Sequence, residues 1–190
     1  MEVQRVRALS RVKIVNAGIG MIDRDGADAI TMRRLAQDLG VTPMALYNHF
    51  ANKKELLRAI ADHVIDGAEF DGGQTNWQDQ LRHCFRTLRS LCLQHPGLPG
   101  MLEIEGAAPA SVSHPMDVAI PALRAAGLDE LDSARAYFAL LGYTLSQATY
   151  QARGPYPSLH ASLPTEEWDY DASFEYGLAL IITGIATTAR

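Results

Sequence analysis

The chain has 190 residues, 47% of them hydrophobic and 7% aromatic, which is enough apolar material for one larger domain or two small ones. A net charge of −5 argues weakly against a nucleic-acid partner, but ten Lys and Arg meet eight Asp and Glu up to residue 66 and seven meet fourteen beyond it, so the acidity belongs to the C-terminal part. Apolar runs such as Leu178 to Ile182 are far too short to span a membrane, Met1 to Arg5 lacks a signal peptide's apolar core, and two cysteines cannot make a disulfide framework, so a cytoplasmic protein with no membrane partner is expected.

Val12, Val15, Ile19 and Ile22 predict a first amphipathic helix that closes at Arg24-Asp25-Gly26. Arg5, Arg7, Arg11 and Lys13 bring positive charge to its start, suited to phosphate contact or to a solvated helix end. Residues Ile30 to Lys54 carry most of the information, because they spell a helix, a sharp turn and a second helix. Thr31 is placed to cap the first of these. Leu35, Ala36 and Leu39 give it an apolar face, and Gly40 suits a left-handed stop. Thr42 is placed to cap the second helix, with Pro43 at its first position. Leu46 and Phe50, four apart, seat it on the core. Its other face presents Thr42, Met44, Ala45, Tyr47, Asn48 and His49. A further helix begins at Lys53-Lys54-Glu55-Leu56-Leu57 and is expected to reach Phe70.

Val12 to Leu57 resembles the DNA-binding domain of the TetR family, the tetracycline-repressor-like transcription regulators. The resemblance rests on Gly26, Ile30-Thr31-Met32-Arg33-Arg34-Leu35-Ala36, Gly40-Val41-Thr42-Pro43, Leu46-Tyr47-Asn48-His49-Phe50 and Asn52-Lys53. It implies that Arg33, Thr42, Pro43, Met44 and Ala45 lie toward bases, with Arg33 suited to guanine. Thr31, Tyr47, His49 and Lys53 would lie toward phosphates. It also implies an all-α fold: residues 1–52 as a helix-turn-helix domain, 53–70 as a connecting helix, and 71–190 as a C-terminal ligand-binding and dimerisation domain.

Beyond a break at Asp71 to Asn76, the spacing predicts helices over Trp77 to His95, Pro99 to Gly106 and Pro115 to Ala126, the last interrupted or kinked at Pro121. Longer helices follow over Asp129 to Arg153 and Asp171 to Ala189. Between these elements, Ala107 to Ser111 and the Pro-rich Gly154 to Pro164 read as loops, and Thr165-Glu166-Glu167 as a short helix start. Cys84 and Cys92, eight apart, share a face with Leu81, Phe85 and Leu88, as core or as a thiol sensor. The last two long helices mix large apolar residues with Ala134, Ala136, Gly142, Ala148, Gly177, Ala179, Gly184 and Ala186, either as intramolecular core or as a bundle made from two chains. The TetR resemblance implies the two-chain bundle, a homodimer with Tyr137, Leu141, Leu145, Leu178, Ile181 and Ile185 at its interface.

No Gly-x-Ser-x-Gly, His-Glu-x-x-His, Walker loop or Cys-x-x-Cys occurs, and the six His show no metal spacing, so neither catalysis, metal nor cofactor is expected. Glu103 and Glu105 read as exposed. Aromatics and Met at helical spacing suit either packed core or a cavity. The resemblance implies an inducer pocket among His63, Phe85, Arg89, Met101, Tyr137, Phe138, Gln147 and Trp168. The expected function is a homodimeric repressor that a small hydrophobic or aromatic effector releases from double-stranded operator DNA. The alternatives are an activator or ligand-independent regulator, or a helical carrier or enzyme with a vestigial helix-turn-helix.

Overall fold

The computed structural model describes residues 9–102, 113–154 and 168–188. Among them the protein forms α1 (Arg11–Asp25), a 3-10 turn (Ala27–Ala29), α2 (Met32–Asp38), α3 (Pro43–Tyr47), α4 (Lys53–Asp66), α5 (Trp77–Gln94), α6 (Leu98–Leu102), α7 (Ser113–Ala125), α8 (Glu130–Arg153) and α9 (Tyr170–Thr188). No described residue is in a strand, so the fold is all-α, as expected. No described helix is long and apolar enough to cross a membrane.

In the N-terminal part α1 packs on α2 and α4, and α2 packs on α3. The Ser10 hydroxyl caps α1 by accepting from the Lys13 amide. The stripe of α1 that enters the core is Ile14, Val15, Gly18, Met21 and Ile22. Val12, expected on that face, is 58% exposed. At about 100° per residue it lies roughly a third of a turn from the stripe's centre, so spacing alone rotated the face. The α2–α3 turn follows the sequence closely. Gly40 takes φ +66, the Gly40 amide donates to the Gln37 carbonyl and the Val41 amide to the Ala36 carbonyl. That pair of bonds satisfies carbonyls left open at the end of α2 and requires the left-handed glycine.

In the C-terminal part α5, α7 and α8 pack on one another, and α9 lies on α8. The Asn76 side chain caps α5 by accepting from Gln78 and Asp79 amides. Leu81, Cys84, Phe85, Leu88, Leu91 and Cys92 form its buried stripe. Burial pushes the Cys84 and Cys92 thiols up to about 12. Protonated and buried, both act as core, which removes the ground for a thiol sensor.

Some element bounds differ from expectation. α4 ends at Asp66 rather than Phe70, although Phe70 still reaches the core from the loop. α7 runs unbroken through Pro121, whose ring lies on the exposed side. α6 begins at Leu98. Its expected extension to Gly106, the loop over Ala107 to Ser111, and Glu103 and Glu105 lie outside the described residues. So do Arg5, Arg7, most of the Gly154 to Pro164 loop, Thr165-Glu166-Glu167 and Ala189.

The two parts meet where the corner between α5 and α6 abuts α1. His95 Nδ1 lies 2.8 Å from Asp23 Oδ2. Gly97 sits so close to Ile22 that a Cβ there would clash with its side chain and come within 2.8 Å of its carbonyl oxygen. Leu98 and Met101 are buried beside this contact.

Candidate nucleic-acid interface

The face formed by α2, α3 and the start of α4 is held in place by buried residues and displays polar ones. Leu35, Ala36, Leu46 and Phe50 are buried and fix α2 and α3 on the core. Thr31, Arg33, Thr42, Pro43, Met44, Tyr47 and Asn48 are exposed, while Ala45, His49 and Lys53 are partly so. The structure therefore brings all ten expected DNA-facing residues onto one short helix-turn-helix and its exit. Two capping expectations separate here. The Thr31 hydroxyl accepts from the Arg34 amide at 3.1 Å. Thr42 holds the N-cap position of α3 in extended backbone, but its side chain makes no cap bond.

Two cations near this face, Arg11 and Arg34, are bonded within the protein. Arg11 is read from the sequence as phosphate-binding charge or as a solvated helix end. In the structure its guanidinium donates to the His49 carbonyl at 2.7 Å and to Glu55 Oε1 at 3.1 Å. It also lies 4.1 Å from the centre of the Phe50 ring. Glu55 in turn accepts from the Ala51 amide at 2.7 Å, and Asn52 Oδ1 accepts from the Glu55 amide at 2.9 Å. This reciprocal cap fixes the junction between α3 and α4. The Ala51 amide, and then Arg11, hold the Glu55 carboxyl below its usual range. Arg34 braces the start of α2, donating to Asp25 Oδ2 at 2.6 Å and to the Ala29 carbonyl at 3.3 Å. Sequence reasoning missed both braces. The Asn52-x-x-Glu55 spacing was a readable signal for one of them, whereas the Arg11 and Arg34 partners are set by tertiary packing.

Among the described residues, the expected effector residues do not share one of the clefts found. Phe85, Met101 and Tyr137 are buried in the core, Gln147 is half-buried, and His63 and Trp168 are exposed. Phe138 is 61% exposed on the outer side of α8, which corrects its assignment to the pocket. Arg89 has a side chain only 12% exposed. Its guanidinium donates to Gln151 and Asp171 and lies 4.7 Å from the Phe174 ring centre, while its Nε has no partner. Clefts of the described residues lie elsewhere, including one of about 320 Å³ between α8 and α9 lined by Ala136, Ala139, Ile181 and Gly184 among others. One of about 450 Å³ lies between the end of α4 and α7, lined by Asp66, Glu69, Asp71, His114 and Asp117 among others. One of about 290 Å³ lies at the joint of the two parts, between Gly26, Gly97, Thr149 and Arg153.

The interface assignment needs a similar correction at three of its six positions. Tyr137, Leu178 and Ile185 are buried within the chain, while Leu141, Leu145 and Ile181 are half-buried. The outward apolar side chains are Leu131, Phe138 and Tyr150 on α8, and Tyr176 and Leu180 on α9. Both helices carry apolar residues on two sides, and periodicity alone does not say which side turns inward.

Comparison with known proteins agrees with this geometry. The family model described as bacterial regulatory proteins, tetR family, matches residues 14–60. A second, the tetracyclin repressor-like C-terminal domain, matches residues 146–189. The crystal structure of Mycobacterium smegmatis BioQ is 31% identical, with 94% of this chain and 99% of that one covered and a TM-score of 0.77. BioQ solved with its double-stranded DNA operator is 30% identical, covering 95% of this chain and 99% of that one, with a TM-score of 0.76. Streptomyces coelicolor ActR in complex with actinorhodin is 27% identical, covering 96% and 99%, with a TM-score of 0.75. The class A tetracycline repressor protein from transposon 1721 of Escherichia coli is 28% identical over 91% of this chain and 88% of its own.

Proposed function

As the chain belongs to the TetR family of DNA-binding transcription regulators, we propose that it is a homodimeric repressor released from its operator by a small hydrophobic or aromatic ligand. The observation that carries this reading is the braced α2–α3 unit, whose outward face holds Arg33, Thr42, Met44, Tyr47 and Asn48. The likeness to BioQ bound to operator DNA supports it. In this reading residues 1–52 bind DNA, 53–70 connect, and 71–190 bind the effector and dimerise. Two copies place two reading helices in successive major grooves, because one helix spans only a few base pairs. The outer apolar strip of α8 and α9 supplies the seam between copies.

The effector is proposed to bind in the C-terminal part, with Phe85, Arg89, Met101, Tyr137, Gln147, His63 and Trp168 as contacts that come together only when the present core packing rearranges. ActR, solved with actinorhodin, is a precedent for a ligand-bound relative. Repression is lifted only to the extent that the ligand prefers the state with weaker operator affinity. A coupling of about 1–3 kcal/mol changes that affinity roughly 5- to 150-fold. A second reading, a regulator that works without ligand, is favoured by the tight packing of Phe85, Met101 and Tyr137.

A gel shift on DNA flanking the gene, repeated across salt concentrations and with a library of aromatic compounds, tests both. Operator binding that weakens with salt and is released by compounds that also raise the melting temperature supports the inducible repressor. Compounds that stabilise the protein yet never alter DNA binding support the second reading. No DNA binding at any salt concentration overturns both.

A further inference from the structure

α3 is an apolar reading helix. Its five residues, Pro43-Met44-Ala45-Leu46-Tyr47, include no charged side chain and no amide side chain. Leu46 is fully buried and pins the helix, which sets the opposite side outward. On that side Met44 is 68% exposed, more than Val12 or Tyr47. Pro43 before it is exposed as well, and Ala45 after it is half-exposed. Met44 is thus left largely uncovered by the described residues on the face proposed to meet DNA, where its apolar side chain fits an apolar group of the partner.

The floor of the major groove offers one such group. Guanine presents N7 and O6, adenine N7 and the N6 amine, and cytosine the N4 amine, whereas thymine adds its C5-methyl to O4. A thioether set against the polar edges would strip them of water and return no comparable hydrogen bond. Against a methyl it loses nothing, and its unbranched, polarisable chain adapts to fit. We infer that Met44 is a specificity-determining residue for thymine, with one thymine C5-methyl in each operator half-site packed on its side chain. This rests on the reading of α3 as the DNA-reading helix. Arg33, exposed on α2, remains the candidate for guanine.

The test starts from random duplexes, selecting those that the full-length protein binds. The selected half-sites are expected to share a thymine at one position. Replacing that thymine by deoxyuridine removes one methyl and should weaken binding about fourfold, the worth of one buried methyl group. Replacing both half-sites should weaken it roughly fifteenfold. Deoxyuridine at neighbouring thymines serves as the control and should change little. In Met44→Ala the deoxyuridine penalty should vanish, and in Met44→Leu it should persist. Because Met44 is exposed, both variants are expected to fold, with melting curves like the wild type. Half-sites with no common thymine overturn the inference, as does a deoxyuridine penalty that survives in Met44→Ala. A selection that enriches no duplex overturns the reading helix itself, and this inference with it.

Discussion

At the scale of single residues, neighbouring side chains of the same type do different work. Arg33 and Arg34 are adjacent, yet Arg34 is tied to Asp25 and Ala29 while Arg33 is exposed. Arg33→Ala should therefore cost about 1–3 kcal/mol in operator binding and relax preference at one half-site position. Competition binding over operator variants measures this, and unchanged discrimination would remove Arg33 from the base-reading set. Lys53→Ala should instead weaken all sequences alike and flatten the salt slope by about one unit per half-site.

Glu55 gives a pH signature. Its carboxyl is held low in the folded protein by the Ala51 amide and Arg11. The stability it contributes is present above the ordinary glutamate value and is lost as pH falls through the lower folded-state value. The melting-temperature gap between wild type and Glu55→Gln should thus be full at neutral pH and close in acid. A gap that widens on acidification would contradict the assigned cap.

At the scale of elements, α8 and α9 each present two apolar sides. On α9, Phe174, Leu178, Ile182 and Ile185 turn inward. Three contacts fix that choice. The Tyr143 hydroxyl donates to the Ser173 and Phe174 carbonyls, the Tyr143 and Phe174 rings stack at 5.6 Å, and Arg86 grips Glu175 with two bonds of 2.7 and 2.6 Å. Leu180, 56% exposed, and Phe138 face outward. Leu180→Glu and Phe138→Glu should therefore split the proposed dimer into folded monomers, as read by sedimentation with circular dichroism. Leu178→Glu should unfold the chain, because it buries an unpaired charge. Dimers that persist in both outward variants would place the seam elsewhere.

At the scale of the whole molecule, the corner between α5 and α6 is one of the contacts that join the DNA-facing part to the rest, beside those of α6 with α4 and the 3-10 turn. The Gly97 backbone rests on Ile22, with the His95–Asp23 pair at its edge. A methyl group at position 97 would sit 2.8 Å from the Ile22 carbonyl oxygen, so one side must move. Gly97→Ala should cost about 1–3 kcal/mol of stability by overpacking and displace α1. Denaturant melts and operator titration together would detect this. Wild-type stability with wild-type affinity would show that the joint yields without cost.

The local chemistry of the helix-turn-helix was readable in the residues themselves. Thr31, Gly40, Pro43, Leu46 and Phe50 each meet a demand set within a few positions along the chain: a cap, a left-handed turn, a missing N–H, a buried step of four. Helix positions in the C-terminal part followed for the same reason, since a 3.6-residue period is a local property. The tertiary structure decided what periodicity leaves open. It chose which side of α8 and α9 turns inward, moving Phe138 to the surface and Leu178 to the core. It also took Arg11 and Arg34 as braces, although their charges suited DNA equally well. Those choices depend on partners such as His49, Glu55 and Asp25, which lie up to 44 positions away along the chain. A linear pattern records that such residues exist, and only packing determines which of them meet.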